Sequence, residues 1–251
     1  MAEQKMTVQA NAPIPMEGTH NTRSLGGYIN KDGQAVKENR FFRSDSTSGM
    51  TEKDVETLRQ RGLVCVIDLR SDFERIQAPS VYKGANKADY YEVPLSDGVA
   101  SNGFSGSFPA NMGQLYVELL QNQAKAFAQV FKIIAAYNKK GAVLYHCMVG
   151  KDRTGLVSMF LLDLAGVDRK TILTDYSTSE ENMKPVFEQQ KRMLKEKFGL
   201  DVPDAVFSSA PKELLQAMQY LDQQNLSPEE YLLQNGVFEQ EIATIKEMLL
   251  N

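Results

Sequence analysis

The chain has 251 residues, 42% of them hydrophobic and 24% charged, a balance that excludes a disordered segment, a collagen-like repeat and a coiled coil. Its formal net charge of −4 supplies no general attraction to nucleic acid or to an anionic bilayer, so neither a nucleic-acid partner nor stable membrane association is expected. Two cysteines, Cys65 and Cys147, are too few for a disulfide framework and fit a reducing compartment.

Residues 1–18 carry Pro13, Pro15 and Gly18 without periodicity and read as a loose arm ahead of a single domain over 19–251. The start "MAEQKMTVQANAPIPM" lacks the basic head and apolar core of a secretory signal, which points to the cytoplasm. A secreted chain whose leader had already been removed would read the same way. Gly26 and Gly27 in "NTRSLGGYI" mark a turn, and Phe41 and Phe42 open a β-like run. Thr51 with Asp54 makes a capping-box start for a helix that turns Val55 and Leu58 inward and ends at Gly62.

"LVCVIDL" (63–69), "YYEVPL" and "AVLYHC" are aliphatic runs without alternation, as expected of strands covered on both faces. A helical pattern over Ala124 to Tyr137 lies between the last two, with Phe127, Val130, Phe131 and Ile134 on one face. This alternation predicts an α/β fold with a central, mainly parallel sheet flanked by helices. The stretch from Pro94 to Gly113, with four glycines, four serines and two prolines, reads as a long functional loop. From about Asp168 the last third is amphipathic and helical, with breaks expected at Pro185, Pro203, Pro211 and Pro228. The basic run Lys191, Arg192, Lys195 and Lys197 alternates with apolar residues and reads as a solvated helix face.

The stretch that carries chemistry is "HCMVGKDRTG", residues 146–155. A strand that enters a glycine-containing turn and leaves as a helix aims successive backbone N–H groups at one centre, and the helix N-terminus adds partial positive charge. Arg153 at the far end adds a fork that matches two oxygens of a phosphoryl group. Cys147 at the near end lies in the same field, which favours thiolate over thiol. The pattern proposes phosphoryl transfer through a phosphocysteine, with a carboxylic acid to protonate the leaving oxygen and then activate water. No His, Cys and carboxylate spacing suggests a metal, and no cofactor is implied.

This loop resembles that of the cysteine-dependent protein tyrosine phosphatase superfamily, H-C-x-x-x-x-x-R followed by Ser or Thr. The form "HCMVGKDRTG" is similar to the bacterial atypical branch that also acts on phosphoserine, phosphothreonine and phosphoinositides. "NTRSLGGY", "FFRSD", "VIDLRSDFE" and "APKELLQAM" agree with that branch, so the similarity covers roughly residues 19 to 250. The resemblance implies Cys147 as nucleophile, Arg153 as phosphate clamp, and the amides of Met148, Val149, Gly150, Lys151 and Asp152 as the rest of the cradle. It implies Thr154 as donor to the Cys147 sulfur and His146 as a support that orients the loop.

Most of the superfamily takes its acid from an upstream loop, where Asp97 in "PLSDG" stands; the branch that shares "GKDRTG" uses the Asp inside the loop, which favours Asp152. Lys151 resembles a lysine that meets a second phosphate of inositol lipids; as a bare sequence feature it is an exposed loop lysine. Ser24 follows Arg23 where the family usually has Asp, and Arg70 is expected to pair with Asp45 or Asp72, contact with substrate phosphate being its other reading. Expected partners are a phosphotyrosine-containing protein or another phosphomonoester, phosphoinositides among them. Two other readings stand beside the enzyme: a catalytically silent phosphate-recognition module, and a thiol enzyme of rhodanese or arsenate-reductase type. The last would need sulfur transfer or a resolving cysteine near Cys147, for which Cys65 is the candidate. Cys65 otherwise reads as a strand core residue that could form a protective disulfide with Cys147.

Overall fold

Five strands, β1 (Arg23–Ser24), β2 (Phe41–Ser44), β3 (Leu63–Asp68), β4 (Asp89–Glu92) and β5 (Ala142–His146), form one sheet in the order β1-β2-β5-β3-β4. The computed structural model describes residue 10 and residues 12–95, 111–199 and 201–250. β1 pairs antiparallel with β2, whereas β2, β5, β3 and β4 run parallel, so the sheet is mainly parallel as the strand and helix alternation predicts. Parallel neighbours need crossovers, and helices supply them. They are α1 (Glu52–Gln60), α2 (Asp72–Gln77), α3 (Met112–Asn122) and α4 (Ala124–Ala136).

The chain lays down β2, β3 and β4 first and then inserts β5 between β2 and β3. In sheets of this kind the carboxyl end of such an inserted strand opens onto the crevice where ligands bind. The 146–155 stretch leaves the sheet there, passing from β5 into α5 (Asp152–Leu164).

Alternation along the strands divides the core in two. Phe41, Cys65, Ile67, Val143 and Tyr145 face the larger cluster with α4 and α5, while Phe42, Val66, Ala142 and Leu144 face a smaller one with Val55 and Leu58 of α1. Period-two side-chain direction is the reason. The capping box that starts α1 is present, with the Thr51 hydroxyl accepting from the Asp54 amide and the Asp54 carboxylate accepting from the Thr51 amide.

After α5 the chain is helical: α6 (Arg169–Phe198), α7 (Asp204–Phe207), α8 (Pro211–Gln223), α9 (Pro228–Gln234) and α10 (Glu239–Leu250). Pro203, Pro211 and Pro228 stand at helix starts, where a missing N–H costs nothing. Pro185 differs from expectation, because it lies inside α6 rather than ending it. An internal proline costs about 3 kcal/mol. Met183 and Phe187 on either side of it pack with Phe207, and this apolar contact opposes a break.

The stretch from Ala12 to Gly18, read as part of a loose arm, is tied to the domain. Ile14 is buried and its amide donates to Thr22 O at 2.8 Å, while the amides of Glu17 and Gly18 each donate to the Asp54 carboxylate at 2.8 Å. A non-periodic segment is held by one carboxylate that also caps a helix. The long loop expected over 94–113 falls mostly outside the described residues, and α3 already begins at Met112. Among the described residues no helix is long and apolar enough to cross a membrane.

Phe160 of α5 is fully buried and lies 5.8 Å from Phe127, 5.7 Å from Phe131 and 5.4 Å from Tyr231, centroid to centroid, which joins α5, α4 and α9. Phe160→Ala should cost about 3–5 kcal/mol. The check is the midpoint of urea unfolding; an unchanged midpoint would remove this cluster from the account of the core.

Candidate active site

The turn between β5 and α5 is fixed from outside by its carbonyl groups. The Cys147 carbonyl lies 3.0 Å from His146 Nδ1, and the Met148 carbonyl accepts from the Ser46 amide at 2.9 Å. The Val149 carbonyl accepts from Asn21 Nδ2 at 3.0 Å, and the Gly150 carbonyl from Asn21 Nδ2 at 3.2 Å and Arg43 Nη2 at 2.8 Å. No cis peptide bond occurs among the described residues. In a trans peptide the N–H points opposite to the C=O, so the amides of Met148, Val149, Gly150 and Lys151 face the other side of the turn. The first N–H groups of α5 add to them, since a helix start has no internal acceptors for its own donors.

Gly150 makes this close turn possible. Its φ is +67°, and a Cβ there would lie 2.5 Å from the Ser44 carbonyl oxygen and 2.7 Å from the Asp45 amide nitrogen. A side chain meets both a left-handed backbone and solid main chain.

Behind the turn lies a buried ionic cluster absent from the sequence reading. Arg43 bonds to Asp175 of α6, and Arg23 approaches the same carboxylate at 3.3 Å while also donating to the Asp175 carbonyl at 2.8 Å. Arg23 also donates to Asn21, which orients the amide that grips the turn. Burial pushes the Arg23 guanidinium down to about 10, with Arg43 adding to that fall and Asp175 opposing it. Burial also pushes the Asp175 carboxyl up, but Arg43 and Arg23 outweigh it and hold it below its ordinary value. Ser24, in place of the family's Asp, accepts from the Gly26 amide at 2.9 Å and serves the local turn.

Cys147 is 1% exposed, at the base of the turn. Arg153 lies one residue into α5 and forms a two-pronged pair with Glu74, Nη1 to Oε2 and Nη2 to Oε1, both 2.7 Å. Glu74 is the third residue of α2, where its carboxylate also accepts from the Ser71 amide at 2.8 Å in a capping box. Burial pushes Glu74 up, yet Arg153 and the Ser71 amide hold it below the usual carboxylate range.

His146 is buried, and burial holds its imidazole below the ordinary value against the pull of Asp68. With Nδ1 on the Cys147 carbonyl, Nε2 faces the Thr47 hydroxyl at 3.3 Å and the Asp68 carboxylate at 3.5 Å. Arg70 departs from expectation: it pairs with Asp68, Nε to Oδ1 at 2.9 Å and Nη2 to Oδ2 at 2.7 Å. Asp45 is occupied by the amides of His20 and Asn21, and Asp72 bonds to Arg75.

Lys151 is not an exposed loop lysine. It is 0% exposed, and its ammonium donates to the carbonyls of Val206 at 2.8 Å and Ser208 at 2.7 Å, with Asp152 Oδ1 at 3.3 Å. The free carbonyls at the end of α7 attract a cation. Asp152 opens α5 with its side chain 15% exposed, and it accepts from the Tyr116 hydroxyl. The Thr154 hydroxyl is buried and has no hydrogen-bond partner among the described residues, the Cys147 sulfur included. Met148 is 37% exposed, whereas Val149 packs against the cluster of Met183, Phe187 and Phe207. Asp97 lies outside the described residues.

Cys65 sits in β3 opposite Val143, four residues before Cys147 along β5 and its exit. At about 3.3 Å per residue that is roughly 13 Å, well past the reach of a disulfide, about 7 Å between Cα atoms. Both cysteines are free, and burial pushes the Cys65 thiol up to about 12. Cys65 is therefore out of reach as a resolving cysteine for Cys147.

A family model described as the tyrosine phosphatase family matches residues 14–251. The chain is 36% identical over 147 residues to a tyrosine-protein phosphatase of Nostoc commune, covering 58% of this chain and 50% of that protein. The match thus spans half the length of that relative. It is 23% identical over 256 residues to the triple specificity protein phosphatase PtpB of Mycobacterium tuberculosis, covering 86% of this chain and 92% of the relative. Among solved structures, P. aeruginosa TpbA aligns with a TM-score of 0.42 at 13% identity, covering 84% of this chain and 95% of TpbA.

Asp175→Asn would leave two buried guanidinium groups facing each other without their carboxylate, at a cost of about 3–5 kcal/mol near neutral pH. Because the folded-state pKa of Asp175 is depressed, its contribution is present above the unfolded value and is lost as pH falls. The stability gap between wild type and variant should therefore shrink between about pH 5 and pH 1. Urea midpoints along that range test it; a gap independent of pH would contradict the assigned ion pair.

Proposed function

The chain belongs to the tyrosine phosphatase family, and from that premise we propose that it hydrolyses phosphomonoesters, phosphotyrosine foremost, through a phosphocysteine intermediate and without a metal. One observation carries the reading: the carbonyls of residues 147–150 are all engaged on the outside of the turn that holds Cys147. The opposite side is then a ring of donors, the arrangement that stabilises the equatorial oxygens of a phosphoryl group in its transition state.

In the first step the Cys147 thiolate attacks phosphorus in line. The S–P bond forms as the bond to the leaving oxygen breaks, and Asp152 gives that oxygen its proton. Arg153, oriented by Glu74, spans two phosphoryl oxygens. In the second step water attacks phosphorus, the Asp152 carboxylate takes the proton, and the sulfur leaves as thiolate. The buried Thr154 hydroxyl, which has no hydrogen-bond partner among the described residues, turns to the sulfur as the S–P bond breaks. His146 fixes the Cys147 carbonyl and so the direction of the next amide.

Lys151 contributes its backbone amide, since its ammonium is committed to the carbonyls of Val206 and Ser208. Activity on phosphoserine, phosphothreonine or phosphoinositides is the finer part of the proposal, supported by the relative named for triple specificity. The free thiols of Cys65 and Cys147 suit a cytoplasmic setting.

Cys147→Ser should abolish phosphate release from an aryl phosphate, while EDTA should leave the wild-type rate unchanged; loss of the rate in EDTA would reject the metal-free mechanism. Wild-type protein that captures a phosphotyrosine peptide and releases no phosphate would instead support a silent recognition module. Asp152→Asn should lower kcat on an alkyl phosphate by about 10²–10⁴-fold and act less on an aryl phosphate with a good leaving group. If Asp97→Asn gives that pattern and Asp152→Asn does not, the acid is Asp97.

A further inference from the structure

Four oxygens from three helices and the head of α5 form a continuous chain. Tyr116 of α3 donates to Asp152 Oδ1, the Tyr116 and Tyr176 hydroxyl oxygens lie 2.6 Å apart, and Tyr176 of α6 lies 3.1 Å from Oε2 of Glu213 on α8. Tyr116, Tyr176 and Glu213 are buried, and only the Asp152 end meets solvent appreciably. Gly155 admits this geometry, because a Cβ there would lie 3.0 Å from the Tyr176 ring.

The hydrogens of the chain can be counted. Three oxygen-to-oxygen links need three hydrogens, and two phenols supply two. If both carboxyls were ionised, one link would lack a hydrogen: either the two phenolic oxygens would face each other at 2.6 Å, or the Tyr176 oxygen would face Glu213 Oε2 at 3.1 Å. Two buried lone pairs at either distance are strongly unfavourable. One carboxyl must therefore carry the third hydrogen. The Lys151 ammonium lies 3.3 Å from Asp152 Oδ1, a cation in contact with that end of the chain.

We propose that Asp152 and Glu213 share one proton through Tyr176 and Tyr116, with the proton resting on Glu213 and passing to Asp152 when a phosphate dianion enters the turn. This rests on the reading of Asp152 as the acid. The transfer balances: Glu213 gives its hydrogen to the Tyr176 oxygen, Tyr176 gives its own to Tyr116, and Tyr116 gives its own to Asp152. Asp152 then protonates the leaving oxygen. In the second step the proton taken from water by Asp152 returns along the same path, so Glu213 ends as it began.

The environment agrees. Burial pushes the Glu213 carboxyl up and Asp152 adds to that, while Lys151, Tyr176 and Lys212 oppose it. Burial and the neighbouring carboxylates push both phenols far above their ordinary value, so they relay a proton as neutral groups. Glu213 lies in the stretch "APKELLQAM", whose likeness to the family had no chemical role attached to it. Its place in the chemistry is that of a positioning and proton-holding residue, since it does not touch the reacting atoms.

Glu213→Gln keeps shape and hydrogen bonding, because its amide can donate to Tyr176, but it has no transferable proton. At neutral pH the infrared band of a protonated carboxyl should be present in the wild type and absent in Glu213→Gln. The kcat on an alkyl phosphate should fall about tenfold or more, as for loss of a general acid, while kcat on an activated aryl phosphate changes less than about twofold. In the variant the alkyl rate should rise as pH falls, since Asp152 must then collect its proton from solvent. Tyr176→Phe, which removes one hydroxyl and keeps the ring, should give the same drop, and the double variant no further drop. A carboxyl band that survives in Glu213→Gln, equal losses on both esters, or an unchanged alkyl rate would each overturn the relay. If Cys147→Ser and Asp152→Asn lose activity as expected while Glu213→Gln does not, the relay alone fails; if those two keep it, the phosphocysteine reading fails first.

Discussion

The outward grip on four successive carbonyls is the constraint on which the rest of this molecule depends. A short turn of main chain has no intrinsic reason to present all its amides on one side, and each buried carbonyl without a partner would cost about 1–3 kcal/mol. Asn21, Arg43, Ser46 and His146 supply the partners, and they come from four places in the chain. The antiparallel strand β1, the parallel strand β2 and the segment after it are thus parts of one clamp. Helix α6 joins it through Asp175, which holds Arg43 in position although it lies 132 residues away in sequence.

Two ionic devices share the work on opposite sides of the turn. Arg43 and Arg23 with Asp175 stand behind it, and Arg153 with Glu74 stands at its far end. Buried pairs of this kind are a weak source of net stability, since desolvation offsets most of the attraction. Their value lies in direction. A guanidinium locked by two hydrogen bonds to a carboxylate has one orientation, and helix α2 contributes Glu74 from a capping box that would form for local reasons alone.

Local patterns made the frame readable and left its couplings hidden. Strands β3 and β5 stood out because aliphatic runs covered on both faces have no alternation, and α1 because Thr51 and Asp54 cap it within four residues. Pro185 was misleading, since its local cost is outweighed by contacts with Phe207, which no window around it contains. The segment before Gly18 was misread for the same reason: its anchor is the side chain of Asp54. In the site, Cys147, Asp152 and Arg153 were legible as a contiguous motif. Glu74 was not singled out, because its partner Arg153 is 79 residues distant. Tyr116, Tyr176 and Glu213 meet only after three helices pack, and each alone is an ordinary core residue. Lys151 was legible as a charge and not as a buried one, because the carbonyls that receive it belong to α7.

The separation of Cys65 from Cys147 has a consequence for life in an oxidising burst. With its second thiol locked in the middle of β3, the chain has no way to store an oxidised Cys147 as an internal cystine. A sulfenic acid formed at Cys147 must be capped by a backbone nitrogen or by a small outside thiol such as glutathione; otherwise it advances to the sulfinic state, from which ordinary reductants do not return it.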